Sequence, residues 1–147
     1  TLTLLEHISK SPAFAAADLR VAPASPGKAE RLLPFLNQHR ATLYVNLEEA
    51  GLLCQRSFET SRDAAAGLLK RGAARVLVTH GGADATEGHA DGLLTQTPPQ
   101  VLVTRVTGAG DTFMAAHIAA ESEGASREFA LDRALTAAAT YVSGETA

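Results

Sequence analysis

The sequence holds a single cysteine, Cys54, and no tryptophan. One cysteine excludes an internal disulfide and any cysteine-based zinc site, and a cytoplasmic enzyme is the class that fits best. Aromatic residues make up only 5% of the chain, too few for the stacking platforms of single-strand nucleic-acid binders. Net charge is −3, so there is no general attraction to nucleic acid or to an anionic membrane. No apolar run approaches membrane-spanning length, and the N-terminus lacks a basic stretch followed by an apolar one. The five histidines (His7, His39, His80, His89 and His117) show no metal-ligand spacing. Two glycine signatures are missing as well. Gly108-x-Gly110 reaches Phe113 where the dinucleotide fingerprint needs a third glycine, and no Gly-Lys-Ser/Thr follows for a Walker loop.

What is present is a globular composition: 147 residues, 46% hydrophobic and 20% charged. That is one domain's length with enough apolar residues for a core. The chain starts at Thr1 without Met and enters helix-like spacing at once (Leu2, Leu5, Ile8). Residues 141–147 follow an alanine-rich helix with no closing element, so a piece of a longer chain is expected. Ala13–Ala17 and Leu19–Ala22 are apolar runs of strand length. After a loop at 23–27, Ala29, Leu32, Leu33 and Leu36 share one face of a helix over 28–37. Thr42–Val45 reads as a buried strand that runs into Asn46, an N-cap with Glu49 at the capping-box position. Ser61–Arg71 is a helix stopped by Gly72, and Arg75–Thr79 is the clearest strand. A glycine turn, His80–Asp84, follows it. Residues 86–92 are polar, while 92–95 and 101–103 are strand-like. Two helices close the chain, 111–123 and a Ser126-capped one to about Val142. Strands alternating with helices predict an α/β fold, a parallel sheet with helices on both faces.

The most informative stretch is Val106-Thr107-Gly108-Ala109-Gly110-Asp111. An extended lead, a small-residue turn and a helix start place unpaired amide donors and the positive end of a helix dipole around one spot. Such a spot holds an anion. Asp111 cannot itself serve that anion, but it can take a proton from a hydroxyl attacking a phosphoryl group. The plainer reading is an Asp cap after a glycine turn. In a parallel sheet, ligands bind beyond the carboxyl ends of the strands, and residues 46–49, 79–84 and 107–111 all fall there.

These residues carry a family resemblance. Val106–Asp111, followed by Thr112-Phe113-Met114-Ala115-Ala116, resembles the second signature of the ribokinase-like (PfkB) carbohydrate kinases. Asn46-Leu47-Glu48-Glu49 fits that family's Asn-x-x-Glu motif, and Val76-Leu77-Val78-Thr79-His80-Gly81 is similar to its Val-Thr-x-Gly nucleotide strand. The three occur in family order and spacing, over nearly the whole chain but only the C-terminal half of a typical member. A finer likeness, weaker in its motif, links Pro23–Ala29 to the Pro-Val-Ser-x-x-Lys segment of pseudouridine kinases.

The resemblance implies a three-layer α/β/α sandwich with a mostly parallel sheet, here an incomplete domain. Residues 1–147 would be the nucleotide-binding and catalytic portion of one kinase domain. It implies an ATP-dependent phosphotransferase acting on a sugar or nucleoside hydroxyl. Asp111 would be the catalytic base, and the amides of Gly108, Ala109 and Gly110 an anion hole for the γ-phosphate. Asn46 and Glu49 would position Mg²⁺ through water. Thr79, Gly81 and Gly82 would line the nucleotide, with Ala138 of the last helix near the adenine. The missing N-terminal half of the same fold would bring the sugar-binding residues and the lid through which family homodimers form, so the 147-residue piece alone is expected to be inactive. Arg105 stands where many members have an Asp linked to a monovalent-cation site, which speaks against potassium activation. Lys28 and Arg105 read as surface residues or as phosphate contacts, and Cys54 as a small core residue. A non-catalytic nucleotide- or phosphate-binding module, a half-length pseudokinase, is the alternative.

Overall fold

The computed structural model describes Leu4 and residues 18–23, 26–36 and 41–144. Apart from Leu4, the expected helix over 2–9 and the run Ala13–Ala17 lie outside the described residues. Five strands form one sheet in chain order: β1 (Leu19–Val21), β2 (Ala41–Asn46), β3 (Arg75–His80), β4 (Ala83–His89) and β5 (Gly92–Gln96). The first three run parallel, β4 pairs antiparallel with β3, and β5 pairs antiparallel with β4. Around them lie a 3-10 helix (Pro26–Phe35) and the α-helices α1 (Leu47–Cys54), α2 (Ser61–Lys70), α3 (Ala109–Ser122) and α4 (Arg127–Val142). Among the described residues no helix is long and apolar enough to cross a membrane.

Strand alternation divides the core in two. Leu43 and Val45 of β2, with Val76 and Val78 of β3, pack against Ala29, Leu32, Leu53 and Leu68. These come from the 3-10 helix, α1 and α2. The alternate residues Tyr44, Leu77 and Ala85 pack against Phe113, Leu131 and Leu135 of α3 and α4. Helices therefore cover both faces, as the α/β reading expects. Burial on both sides is also why β2 and β3 read as unbroken apolar runs.

Four local expectations are corrected. The polar run 86–92 hides most of a strand, since Thr86 and Glu87 sit fully buried in β4. They are affordable there because each is paired: Thr86 Oγ1 lies 2.8 Å from Ser61 Oγ and 2.9 Å from Thr95 Oγ1, and Glu87 is held by Arg75 and Arg127. Residues 101–103 join no sheet ladder, and Leu102 is 82% exposed. The chain beyond them is pinned to the end of α4, where the amides of Thr104 and Arg105 donate to the Val142 carbonyl at 2.7 and 3.1 Å. The segment 26–35 is a 3-10 helix, whose three residues per turn align Ala29, Leu32 and Phe35 on the core face and leave Leu33 exposed. Finally, α3 begins two residues earlier than expected, at Ala109.

Candidate functional site

The carboxyl ends of β2 and β3 open the site. Asn46 and Thr79 are register partners there. Asn46 ends β2 and caps α1 in a reciprocal box: its Oδ1 accepts from the Glu49 amide, and Glu49 Oε1 accepts from the Asn46 amide, both at 2.8 Å. The box fixes the Glu49 carboxylate beside the strand end. Burial pushes its pKa upward, against the Asn46 hydrogen bond, and nearby Glu48 adds to the rise. Thr79 is left out of the β3–β4 ladder by a register shift between Val78 and His80. Such an irregularity re-aims a strand-end side chain. Gly81, at φ 56°, then turns the chain into β4.

The third wall is the glycine turn ahead of α3. Gly108 caps the helix at φ 96° and offers no side-chain hydrogen bond to the first turn. The Thr112 hydroxyl and amide both bond to the Gly108 carbonyl at 2.9 Å, fixing the turn from the helix side. The expected amide trio is modified in one respect. The Ala109 amide already donates to the Val106 carbonyl at 3.0 Å, because the turn closes on itself there. The amides of Gly108, Gly110 and Asp111 have no protein acceptor among the described residues, so these three are the available donors. A Cβ at Gly110, Gly81 or Gly82 would meet nothing within 4 Å, which leaves room for a ligand to approach the backbone closely.

These walls enclose a cavity of about 410 Å³ that Asn46, Glu49, Thr79, Gly81 and residues 106–111 all line. A second, apolar slot of about 270 Å³ shares Thr79, Gly81 and Gly110 with it and adds Gly82 and Ala138. The structure thus brings every sequence-predicted site residue to the walls of two adjoining cavities. Free amides, open glycines and the helix start suit a phosphate chain, and the apolar slot suits a nucleobase. Among the described residues no group of three or more His, Cys, Asp or Glu could hold a metal ion. Asn46 and Glu49 bring an amide and a carboxylate to the wall of the larger cavity.

Sequence reasoning missed the polar chain behind the site. Arg20 donates to the Tyr44 hydroxyl at 2.8 Å, and that hydroxyl lies 2.7 Å from His117 Nδ1. The tyrosine oxygen accepts from Arg20 and shares one proton with Nδ1, the donor in that bond being set by the imidazole tautomer. Nε2 is buried and has no partner among the described residues. Burial holds the His117 pKa down at about 4, with Arg75 and Arg20 adding to the fall against Glu121. His117 stacks on Phe113 with centroids 6.2 Å apart, and Phe113 and Tyr44 both line the larger cavity. One turn further along α3, Glu121 accepts a bidentate pair from Arg75 at 2.6 and 2.7 Å and a contact from Arg20 at 2.9 Å. Burial would raise the Glu121 pKa, but the Arg75 bonds and the surrounding positive charge hold it near 2. The signal in sequence was a lone arginine inside the apolar run Leu19-Arg20-Val21 and a lone hydroxyl inside Leu43-Tyr44-Val45.

Comparison with known proteins identifies a family and a fold. The model of the pfkB family carbohydrate kinases matches residues 1–147. No curated protein matches by sequence. Among solved structures, a candidate sugar kinase from Clostridium perfringens is 22% identical over 97% of this chain and 46% of its own, with a TM-score of 0.83. Phosphofructokinase-2 from Escherichia coli, in complex with substrates and products, is 23% identical over 97% and 47%, with a TM-score of 0.78. A candidate ribokinase II from Escherichia coli, in complex with ATP and Mg²⁺, is 28% identical over 80% and 37%, with a TM-score of 0.63. The chain spans less than half the length of each of these structures.

Proposed function

This chain belongs to the pfkB family of carbohydrate kinases, and from that premise we propose that it supplies the nucleotide-binding and base-bearing part of a phosphotransferase. The reaction is transfer of the ATP γ-phosphate to a hydroxyl of a sugar or nucleoside, in the cytoplasm. The observation that carries this reading is the convergence of Asn46–Glu49, Thr79–Gly81 and Gly108–Asp111 on one cavity at the strand ends. Asp111 sits exposed on the first turn of α3 and accepts the proton of the attacking hydroxyl at its carboxylate. The free amides of Gly108, Gly110 and Asp111 hold the phosphoryl oxygens in place. Mg²⁺ bound near Asn46 and Glu49 supplies charge neutralisation on the phosphates. Thr79, Gly81, Gly82 and Ala138 orient the nucleotide. Phosphoryl transfer needs this kind of positioning and charge balance more than covalent help from the protein.

The test uses the full-length protein that carries this chain, with ATP, Mg²⁺ and a panel of sugars and nucleosides. Asp111→Asn is expected to lower kcat by roughly 10²–10⁴-fold while leaving ATP affinity unchanged. If ATP binds but no acceptor is phosphorylated, the protein is the non-catalytic nucleotide-binding module and the transfer reading is abandoned.

A further inference from the structure

Asp111 borders a further cavity of about 530 Å³, whose other wall carries Arg20, Lys28 and Arg31. Under the phosphotransfer reading, on which this inference rests, the 410 Å³ cavity takes the phosphate donor. The hydroxyl that Asp111 deprotonates must then approach from space the donor does not fill, and the 530 Å³ cavity is that space. Lys28 and Arg31 reach it together for a geometric reason. They are three residues apart in a 3-10 helix, where positions i and i+3 eclipse. The interleaved line of Ala29, Leu32 and Phe35 is buried in the core, which leaves the two cations exposed together.

The charges in this wall are unequal in status. The Arg20 guanidinium is engaged by Asp18, Tyr44 and Glu121. Lys28 and Arg31 make no ion pair or hydrogen bond among the described residues. Two cations with no partner among the described residues therefore face a cavity in which Asp111 is the one carboxylate of the described lining. A neutral hydroxyl gains little from such a pair. A carboxylate or phosphate gains charge-assisted hydrogen bonds, bidentate ones from the guanidinium.

We propose that the acceptor carries an anionic group of its own, a carboxylate or a phosphate, and that Lys28 and Arg31 bind it beside Asp111. The same cations could instead meet the phosphoryl group in transfer, and kinetics separates the two sources. Initial rates of the full-length protein are measured with ATP and Mg²⁺. Neutral acceptors are ribose, fructose and pseudouridine; anionic ones are gluconate and fructose 6-phosphate. Anionic acceptors are expected to have the higher kcat/KM, by about tenfold or more. Lys28→Gln and Arg31→Gln should each raise the KM for anionic acceptors roughly 10–100-fold, the range of a charge-assisted contact, and leave the KM for ATP unchanged. Arg31→Lys should recover part of the loss. If neutral acceptors are used equally well, or the Gln variants slow neutral and anionic acceptors alike, the cations serve the transferred group and this inference falls while the kinase reading stands. If ATP binds and no acceptor of either kind is phosphorylated, both fall.

Discussion

The Tyr141 hydroxyl donates to the Thr107 carbonyl at 2.5 Å and lies 2.5 Å from where a Cβ on Gly108 would stand. The end of α4 thus presses on the turn that precedes α3. Gly108 is needed twice over, for its φ of 96° and for this close approach. Gly108→Ala is expected to lower stability by about 2–4 kcal/mol, combining left-handed strain with overpacking. Tyr141→Phe alone should lose about 1 kcal/mol, the worth of one hydrogen bond. The double variant should cost less than the sum, because removing the hydroxyl relieves part of the clash. Urea denaturation of the three variants checks this, and strict additivity would refute the contact as the cause.

Arg105 bears on ion dependence. Its guanidinium lies 4.0 Å from the centroid of the Tyr141 ring, and its Nε donates to the Tyr141 carbonyl at 2.7 Å. The neighbouring Val142 carbonyl accepts from the amides of Thr104 and Arg105. A fixed positive charge and two carbonyls already engaged are expected to disfavour a monovalent cation there. Phosphotransfer rates of the full-length protein in equal concentrations of KCl, NaCl and tetramethylammonium chloride should agree within about twofold, given that all three screen charge alike. A strict potassium requirement would contradict this.

His117 predicts an acid limb in stability. An unfolded imidazole titrates near 6.5, whereas the buried one titrates at about 4. Below pH 6.5 the unfolded chain takes up a proton that the native chain refuses, so stability falls from pH 6.5 down to about 4. Glu121 continues the trend. Its native pKa near 2 means its contribution is complete above about 4.5 and lost as pH falls toward 2. The histidine limb amounts to at most about 3 kcal/mol. His117→Gln keeps an acceptor for Tyr44 and cannot titrate, so its stability profile should flatten between pH 6.5 and 4. An unchanged slope there would remove His117 as the cause.

Glu87 is fully buried and is clamped by Arg75 and Arg127, which hold its pKa below the usual range against the opposing effect of burial. Glu87→Gln removes the buried anion that Arg75 and Arg127 share, leaving Arg75 with Glu121 and Arg127 partly in solvent, and should lower stability by about 3 kcal/mol. Asp18, 66% exposed in its pair with Arg20, is the contrast, and Asp18→Asn should change stability by less than about 1 kcal/mol. Equal effects from the two substitutions, measured by denaturant midpoint, would refute burial as the deciding factor.

The strand ends were legible because their chemistry is local. Asn46 and Glu49 sit three apart, as the capping box requires, and Gly108–Asp111 is a contiguous turn and helix start. Val76–Val78 announced a strand by β-branching and apolarity. What the sequence concealed depends on partners far along the chain. Thr86 and Glu87 look like loop residues until Ser61, Arg75 and Arg127 arrive to pair them. Lys28 and Arg31 look like solvated charges under helical periodicity and stand directly in line because the segment winds at three residues per turn. The commitment of the Ala109 amide to Val106 is a detail of turn closure that no residue type announces.

The pairing of Glu121 with Arg75 has a mechanical side. Asp111 and Glu121 stand ten residues apart on one helix, about 15 Å along its axis. Between them, Phe113 and His117 are wedged under Tyr44. The helix is therefore a lever with its fulcrum at the aromatic stack and its far end bolted to the central strand. Under the phosphotransfer reading, the aim of Asp111 is then expected to depend on the Arg75–Glu121 pair about 15 Å along the helix from it.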